Sequence, residues 1–211
     1  MRTLALIARR PELDRDSFRH HYEQEHVPLA LPLLEGLTRY VRNHVVASLV
    51  GEPPAFDVLT EFSYRDSGAF EGVLDRLASP AGESIARDEL QFMDKQKNVF
   101  FGVEAWAGSG AEDPPETEKV ALLAMRRPED ERKARMAHFE DFLQQTLVSA
   151  QGWRLWETRK MGSEPPVEAV AFVWFKPGAI DVAALADLDS VLGKAGTALR
   201  VDAFRSERPA D

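Results

Sequence analysis

The chain has 211 residues, of which 44% are hydrophobic and 29% charged, enough for one large or two small soluble domains. Asp and Glu outnumber Lys and Arg by 35 to 26, and the resulting charge of −9 disfavours nucleic acid as a partner. Without cysteine there are no disulfides, thiolate nucleophiles or Cys-ligated metals. The apolar run 3–8 is too short to span a bilayer and lacks a signal-peptide layout, so no membrane role and a soluble, cytoplasmic protein are expected.

Residues 3–8 form a short apolar run, a buried strand ended by Arg9-Arg10-Pro11. Asp14 or Asp16 can cap a helix in which Phe18, Tyr22, Glu25 and Leu29 recur at helical spacing. Pro28 restricts Val27, so the helix is predicted to stop there. Residues 38–46 alternate, with Tyr40, Arg42 and His44 on one face and Val41 and Val45 on the other. A Gly-Glu-Pro-Pro turn leads to a strand over 56–64, then helices over 67–77 and 82–97 and a last strand over 99–106. The order is βαββαβ, a ferredoxin-like unit.

The chain then repeats. LALIARRPE (4–12) returns as ALLAMRRPE (121–129), His21 falls on His138, and Gly36 on Gly152. FDVLTEFSY (56–64) lies over VEAVAFVWF (167–175), and VEAW (103–106) over VDAF (201–204). The expected organisation is a first half over 1–107, a Gly, Pro and acid-rich linker over 108–118, a degenerate second half over 119–206 and a tail over 207–211. Each half leaves one sheet face bare, and two can bury those faces against each other. The predicted fold class is therefore α+β, two ferredoxin-like βαββαβ repeats forming an intramolecular dimeric-α/β-barrel-like architecture.

Phe18, His21-Tyr22, His26-Val27-Pro28-Leu29, Tyr40-Val41-Arg42-Asn43-His44, Phe56-Asp57, Glu61 and the stretch from Asp88-Glu89 to Asp94 together resemble the EthD family. The resemblance covers residues 2–106. It implies dimeric α+β barrels, of which this chain looks like a fused version, a monomer with a pseudo-dimeric barrel or a homodimer of such chains. The second half departs from the pattern: Leu143 stands for His26, Trp156 for Tyr40 and Lys160 for His44. One polar site is expected rather than two. Relatives of this kind suggest oxidative, isomerising, dehydrating or decarboxylating work on small aromatic or polyketide-like molecules. The resemblance does not select among these reactions.

The available groups are imidazole, carboxylate and phenol. At a step of roughly 100° per residue, His21 and His26 diverge by about 140° on an α-helix. His21 with Glu25, or Glu23 with His26, has metal-ligand spacing, but no third ligand is signalled, and neither a metal nor another cofactor is expected. A haem held by His21, His26 or His44 has no motif behind it. His21 is either a hydrogen-bonded core residue or a proton carrier near neutral pH. His26 is either a C-terminal cap or a cation that polarises a carbonyl. If Val41 and Val45 pack under the helices, Tyr40, Arg42 and His44 look into the barrel. Asp57 and Glu61 share a strand face and are either acid–base groups or partners of Arg39 or Arg42. The candidate catalytic residues are His21, His44 and Asp57. The candidate binding residues are Tyr22, His26, Tyr40, Glu61, Asp94, Trp156, Phe172 and Trp174, around a flat organic ligand. The expected function is cofactor-independent acid–base chemistry on an aromatic or polyketide-like ketone. The alternatives are a cofactor-free oxygenase on a similar substrate and a non-catalytic small-molecule-binding protein.

Overall fold

The computed structural model describes residues 1–128, 131–192 and 196–207. The predicted tail from residue 208 on, and Glu129 of the repeated Arg-Arg-Pro-Glu, lie outside the described residues. The fold class is α+β. The chain divides into two compact units, one of Met1–His44, Ala55–Phe100 and the segment from Ala203, the other of Val45–Pro54 and Phe101–Asp202.

The first unit begins with β1 (Arg2–Ile7), whose apolar run is buried along almost its whole length. A helical stretch follows in four pieces: α1 (Arg15–His21), a π-helical turn (Tyr22–His26), α2 (Val27–Ala30) and a 3₁₀ turn (Leu31–Leu33). Asp14 caps α1, its Oδ1 accepting from the Ser17 N–H at 2.7 Å. The helix does not stop at Val27. Val27 N–H bonds five residues back to the Tyr22 carbonyl, so the turn before Pro28 is already widened. In a regular α-helix the Pro28 ring would press on the carbonyl four residues back, and the extra residue of the π turn displaces that carbonyl.

β2 (Leu37–Val50) and β3 (Val58–Tyr64) follow, and the sheet order within the unit is β1-β3-β2, antiparallel. Gly36 makes the sharp entry to β2 at φ 92°, and a Cβ there would sit 2.9 Å from that of Ala69. α3 (Ser67–Ala78) and α4 (Glu83–Phe92) cover the sheet, and α4 buries Ile85, Asp88 and Phe92 on one stripe. α4 ends five residues before the predicted limit. Arg10 N–H bonds the Phe92 carbonyl and Asp94 N–H bonds the Ala8 carbonyl, so the chain leaves the helix to run along the end of β1. β4 (Val99–Gly110) leaves this unit after Phe100.

The second unit holds β5 (Glu118–Met125), α5 (Arg132–Gln145), β6 (Ala150–Arg159), β7 (Val167–Phe175), α6 (Val182–Ala186), α7 (Leu188–Leu192) and, as far as Asp202, β8 (Gly196–Glu207). Its sheet runs β8-β5-β7-β6-β4. Every residue of β7 is buried, as a strand covered on both faces requires. Phe139, Phe142 and Leu143 of α5 and Leu185, Leu188 and Leu192 of α6 and α7 pack on Val120, Leu122, Leu155 and Val173. At roughly 1.5–3 kcal/mol for each fully buried large apolar side chain, this is the main stabilising term of the unit.

Candidate functional site

The site lies in the first unit, between the helices and the sheet. In β2 and β3 the side chains of Tyr40, Arg42, His44, Thr60, Phe62 and Tyr64 share one face, since Tyr40 pairs with Phe62, Arg42 with Thr60 and His44 with Val58. That face lies under the helices, the reverse of the expected arrangement. The polar groups are satisfied there by the helix itself. Glu23 accepts from Arg42 Nη2 at 2.7 Å and from His44 Nε2 at 2.7 Å, and all three side chains are nearly inaccessible. Burial alone would raise the Glu23 carboxyl, but the bonds from His44 and Arg42 outweigh it and hold the group below its ordinary range.

Next to this network is a cavity of about 280 Å³, near the lower end of small-molecule sites, which run about 300–1,000 Å³. Its walls are Tyr22, Tyr40, Phe62, Tyr64, Phe100 and His26, with Ala5, Ile7, Val73, Leu77 and Ile85 behind them. Phe62 stacks on Tyr40 with ring centres 5.0 Å apart. Tyr40 Oη–H donates to Tyr22 Oη at 3.3 Å, and Tyr22 Oη lies 3.2 Å from Thr60 Oγ1. Burial pushes the Tyr22 phenol up to about 12 and the Tyr40 phenol well above its ordinary value, so both remain neutral hydroxyls. The polar fringe of the cavity is Asn98 and the ion pair of Lys95 with Glu89.

The π turn decides what His26 does. Five residues make about one turn of an i→i+5 helix. His21 and His26, which α-geometry would splay apart, therefore meet at one carboxylate. His21 Nε2 lies 2.8 Å from Asp88 Oδ1, and His26 Nδ1 lies 2.8 Å from Asp88 Oδ2. Phe92 backs both rings, stacked on His21 at 4.5 Å and tilted against His26 at 5.1 Å. With Nδ1–H donated to Asp88, His26 keeps its Nε2 lone pair for the cavity that it lines. Burial lowers the His26 imidazole below its ordinary value, and the bond to Asp88 offsets this only in part. The ring is a neutral base at neutral pH.

The structure brings together Tyr22, His26 and Tyr40 on the cavity wall and holds His21 behind His26. His44 is beside them but turned onto Glu23. Asp57 is elsewhere: it accepts from the Arg9 N–H at 3.0 Å and from Arg9 Nε at 3.2 Å, with Arg15 at 3.5 Å. Glu61 is on the opposite sheet face, accepting from Asn43 Nδ2 at 2.9 Å, with Arg39 at 3.6 Å. Asp94 pairs with Lys97 at 2.9 Å, away from the cavity wall. Trp156, Phe172 and Trp174 belong to the second unit. There Lys119 lies 4.1 Å from the centre of the Phe172 ring, and Trp174 Nε1–H donates to Asp113 at 2.7 Å. The spacings with metal-ligand character resolve as ion pairs: His21 Nδ1 is 3.6 Å from Glu25, and Glu23 serves Arg42 and His44. Among the described residues no group of three or more His, Asp or Glu is placed to hold a metal ion. No helix there is long and apolar enough to cross a membrane.

Asp88, Phe62, Tyr64 and Phe92 were not among the expected site residues. Asp88 carried a readable signal, a carboxylate on the apolar stripe Ile85-Asp88-Phe92 of α4.

Several solved structures share this fold. An anthrone oxidase-like protein matches over 99% of this chain and 93% of its own, at 10% identity and a TM-score of 0.65. A monooxygenase candidate from Fusobacterium nucleatum subsp. nucleatum matches over 98% and 94%, at 10% identity and a TM-score of 0.56. A second monooxygenase candidate, from Lactobacillus acidophilus, matches over 98% and 95%, at 9% identity and a TM-score of 0.51. These likenesses show the fold, a dimeric α/β barrel architecture whose two ferredoxin-like repeats are carried by one chain. No curated protein matches the sequence. The family model described as EthD domain matches residues 10–96, the stretch that contains the π turn, Asp88 and all of the aromatic wall but Phe100. That match spans 87 of the 211 residues, so the likeness to the EthD domain is a likeness of the first repeat.

Proposed function

We propose that the first unit binds a flat aromatic or polyketide-like ketone or phenol in its aromatic cavity and that His26 is the base that takes a proton from it. The observation that carries this reading is the pairing of His26 Nδ1 with Asp88, which leaves Nε2 as the basic nitrogen of a buried, neutral ring on the cavity wall. Tyr22 and Tyr40 remain protonated and serve as hydrogen-bonding groups for an oxygen of the ligand. The enolate or phenolate so formed can be reprotonated at another atom, giving isomerisation, or an enolate can expel a β-hydroxyl that takes the proton from His26 and leaves as water, giving dehydration. His44 and Asp57 do no proton transfer in this reading, because Glu23 and Arg9 hold them.

A second fate of the same anion is oxidation. The structural neighbours described as anthrone oxidase-like or as monooxygenase candidates favour considering it. The anion of a methylene carbon would give two electrons to O₂ and, with one proton, form a hydroperoxide at that carbon. Loss of the second hydrogen of that carbon with cleavage of the O–O bond then gives a carbonyl and water, so the substrate supplies all four electrons. The test is mass spectrometry of hydroxylated aromatic ketones incubated with wild type and with His26→Gln, in air and without oxygen. A proton-transfer product should persist without oxygen and fall about 10²–10⁴-fold in rate in the variant. A gain of oxygen, seen only in air, selects the oxygenase. Turnover unchanged in His26→Gln refutes the assignment of the base, and saturable binding with no product leaves a small-molecule-binding protein.

A further inference from the structure

We propose that His21 is a positioning residue for His26: through Asp88 the two imidazoles form one unit, with one ring on the cavity and the other on solvent, so that the charge on His21 sets the readiness of His26 to accept a proton. This rests on the reading of His26 as the base. The geometry is specific. One carboxylate, its two oxygens each 2.8 Å from a different ring, lies between the cavity and a surface hollow. His26 lines the cavity, whereas His21 lines the hollow with Asp16, His20, Glu25 and Gln91. Phe92 against both rings keeps them in register.

One carboxylate can neutralise one imidazolium. With His21 protonated, a second proton on His26 meets a like charge across Asp88. With His21 neutral, the carboxylate is free to stabilise the cation on His26. A proton taken from a ligand is therefore matched by one released from His21: ligand–H with neutral His26, protonated His21 and water gives ligand anion, protonated His26, neutral His21 and hydronium. No bond through Asp88 has to break. The outward nitrogen, His21 Nδ1, is 3.6 Å from Glu25, which offers a route to the hollow. The charged neighbours that also bear on the pair are Asp16 and His20 on the His21 side and Glu89 on the His26 side. Coupling of this kind makes protons leave in two steps that belong to the pair rather than to either ring.

The test is a pH titration of ligand-free protein carrying ¹⁵N-labelled histidine, read by nuclear magnetic resonance. The His26 ring should show two inflections, one of them at the midpoint of His21. His21→Gln keeps a hydrogen-bond donor for Asp88 but carries no charge. It should reduce the His26 curve to a single step at a higher pH, by about one unit for a strongly interacting pair. Asp88→Asn should uncouple both rings and free Nδ1 of His26. A structural role of His21 would instead be rescued by glutamine, with the His26 curve unchanged, and that result overturns the proposal. Should His21→Gln not fold, a single inflection in wild-type His26 overturns it equally. Because no ligand is present, a failure here is distinct from a failure to find turnover.

Discussion

Glu23 stands in the π turn between two cavity residues, Tyr22 and His26, and its removal should unlock that turn. Its carboxylate binds Arg42 through Nε at 3.3 Å and Nη2 at 2.7 Å, and His44 through Nε2 at 2.7 Å. The side chains of Glu23, Arg42 and His44 are 6%, 4% and 5% exposed, so water cannot replace the lost partner. Truncation to Ala leaves a buried guanidinium without its counter-charge, which costs about 3–5 kcal/mol. For a chain of this size, each kcal/mol is worth about 2–4 °C, so Tm should fall by roughly 6–20 °C. Thermal and urea unfolding of Glu23→Ala measure the loss. Glu23→Leu with Arg42→Met, which removes both charges, should regain most of it. The pH dependence has a definite sign. The folded-state pKa of Glu23 is depressed below its unfolded value, so the contribution is complete above the ordinary Glu range and is lost as pH falls through the folded pKa. The difference between wild type and Glu23→Ala should therefore shrink only in acid. A loss below about 1 kcal/mol at neutral pH, the value of an exposed pair, would refute the argument.

Three further perturbations act on the cavity. Deleting the exposed Gln24 converts the π turn to an α turn in which the two histidines stand four residues apart and still share a face, so the bond of His26 to Asp88 and the His26 resonance should persist; their loss would contradict the role given to the π turn as a one-residue insertion that keeps both rings on one face. Leu77→Trp fills the cavity from the α3 side and should abolish quenching of intrinsic fluorescence by aromatic ketones with little loss of stability, as calorimetry can check. Gly82→Ala drives a Cβ to within 2.0 Å of the Leu77 carbonyl between α3 and α4, and should cost about 1–3 kcal/mol in denaturant unfolding.

The repeat, the order of strands and helices, and three wall residues, Tyr22, His26 and Tyr40, were legible because each rests on periodicity or on the family pattern. The orientation of β2 was not. Alternation separates Tyr40, Arg42 and His44 from Val41, but both faces of β2 are buried, so composition cannot say which face meets the helices. The partner that decides it, Glu23, sits on a helix where a carboxylate ordinarily reads as solvated. The π turn was hidden for a different reason. Its hydrogen bonds leave no compositional mark, and Pro28 favours a stop as strongly as it favours a widened turn. That ambiguity hid the convergence of His21 and His26, which five-residue spacing on an α-helix forbids. Asp57 and Glu61 illustrate the converse, since a carboxylate beside a strand is paired with arginine as readily as it is catalytic.

The two repeats put the same scaffold to different use, and the residues explain how. In the first, α3 and α4 are 12 and 10 residues long and hold Val73, Leu77 and Ile85 at the back of an open cavity. In the second, α6 and α7 have five residues each, and Leu185, Leu188 and Leu192 fill the equivalent layer. The position of His26 is taken by Leu143, 1% exposed within that core, on a helix that stays α from Arg132 to Gln145. His138, the repeat partner of His21, is exposed, because without a π turn and a buried carboxylate nothing draws it inward. A buried His–Asp–His unit beside a cavity is costly in both desolvation and lost packing. A chain with two repeats can carry that cost in one and fill the helix layer of the other with apolar side chains. This division accounts for the His–Asp–His unit of the first repeat, while the second keeps buried ion pairs of another kind, Arg135–Glu168 and Lys119–Asp113.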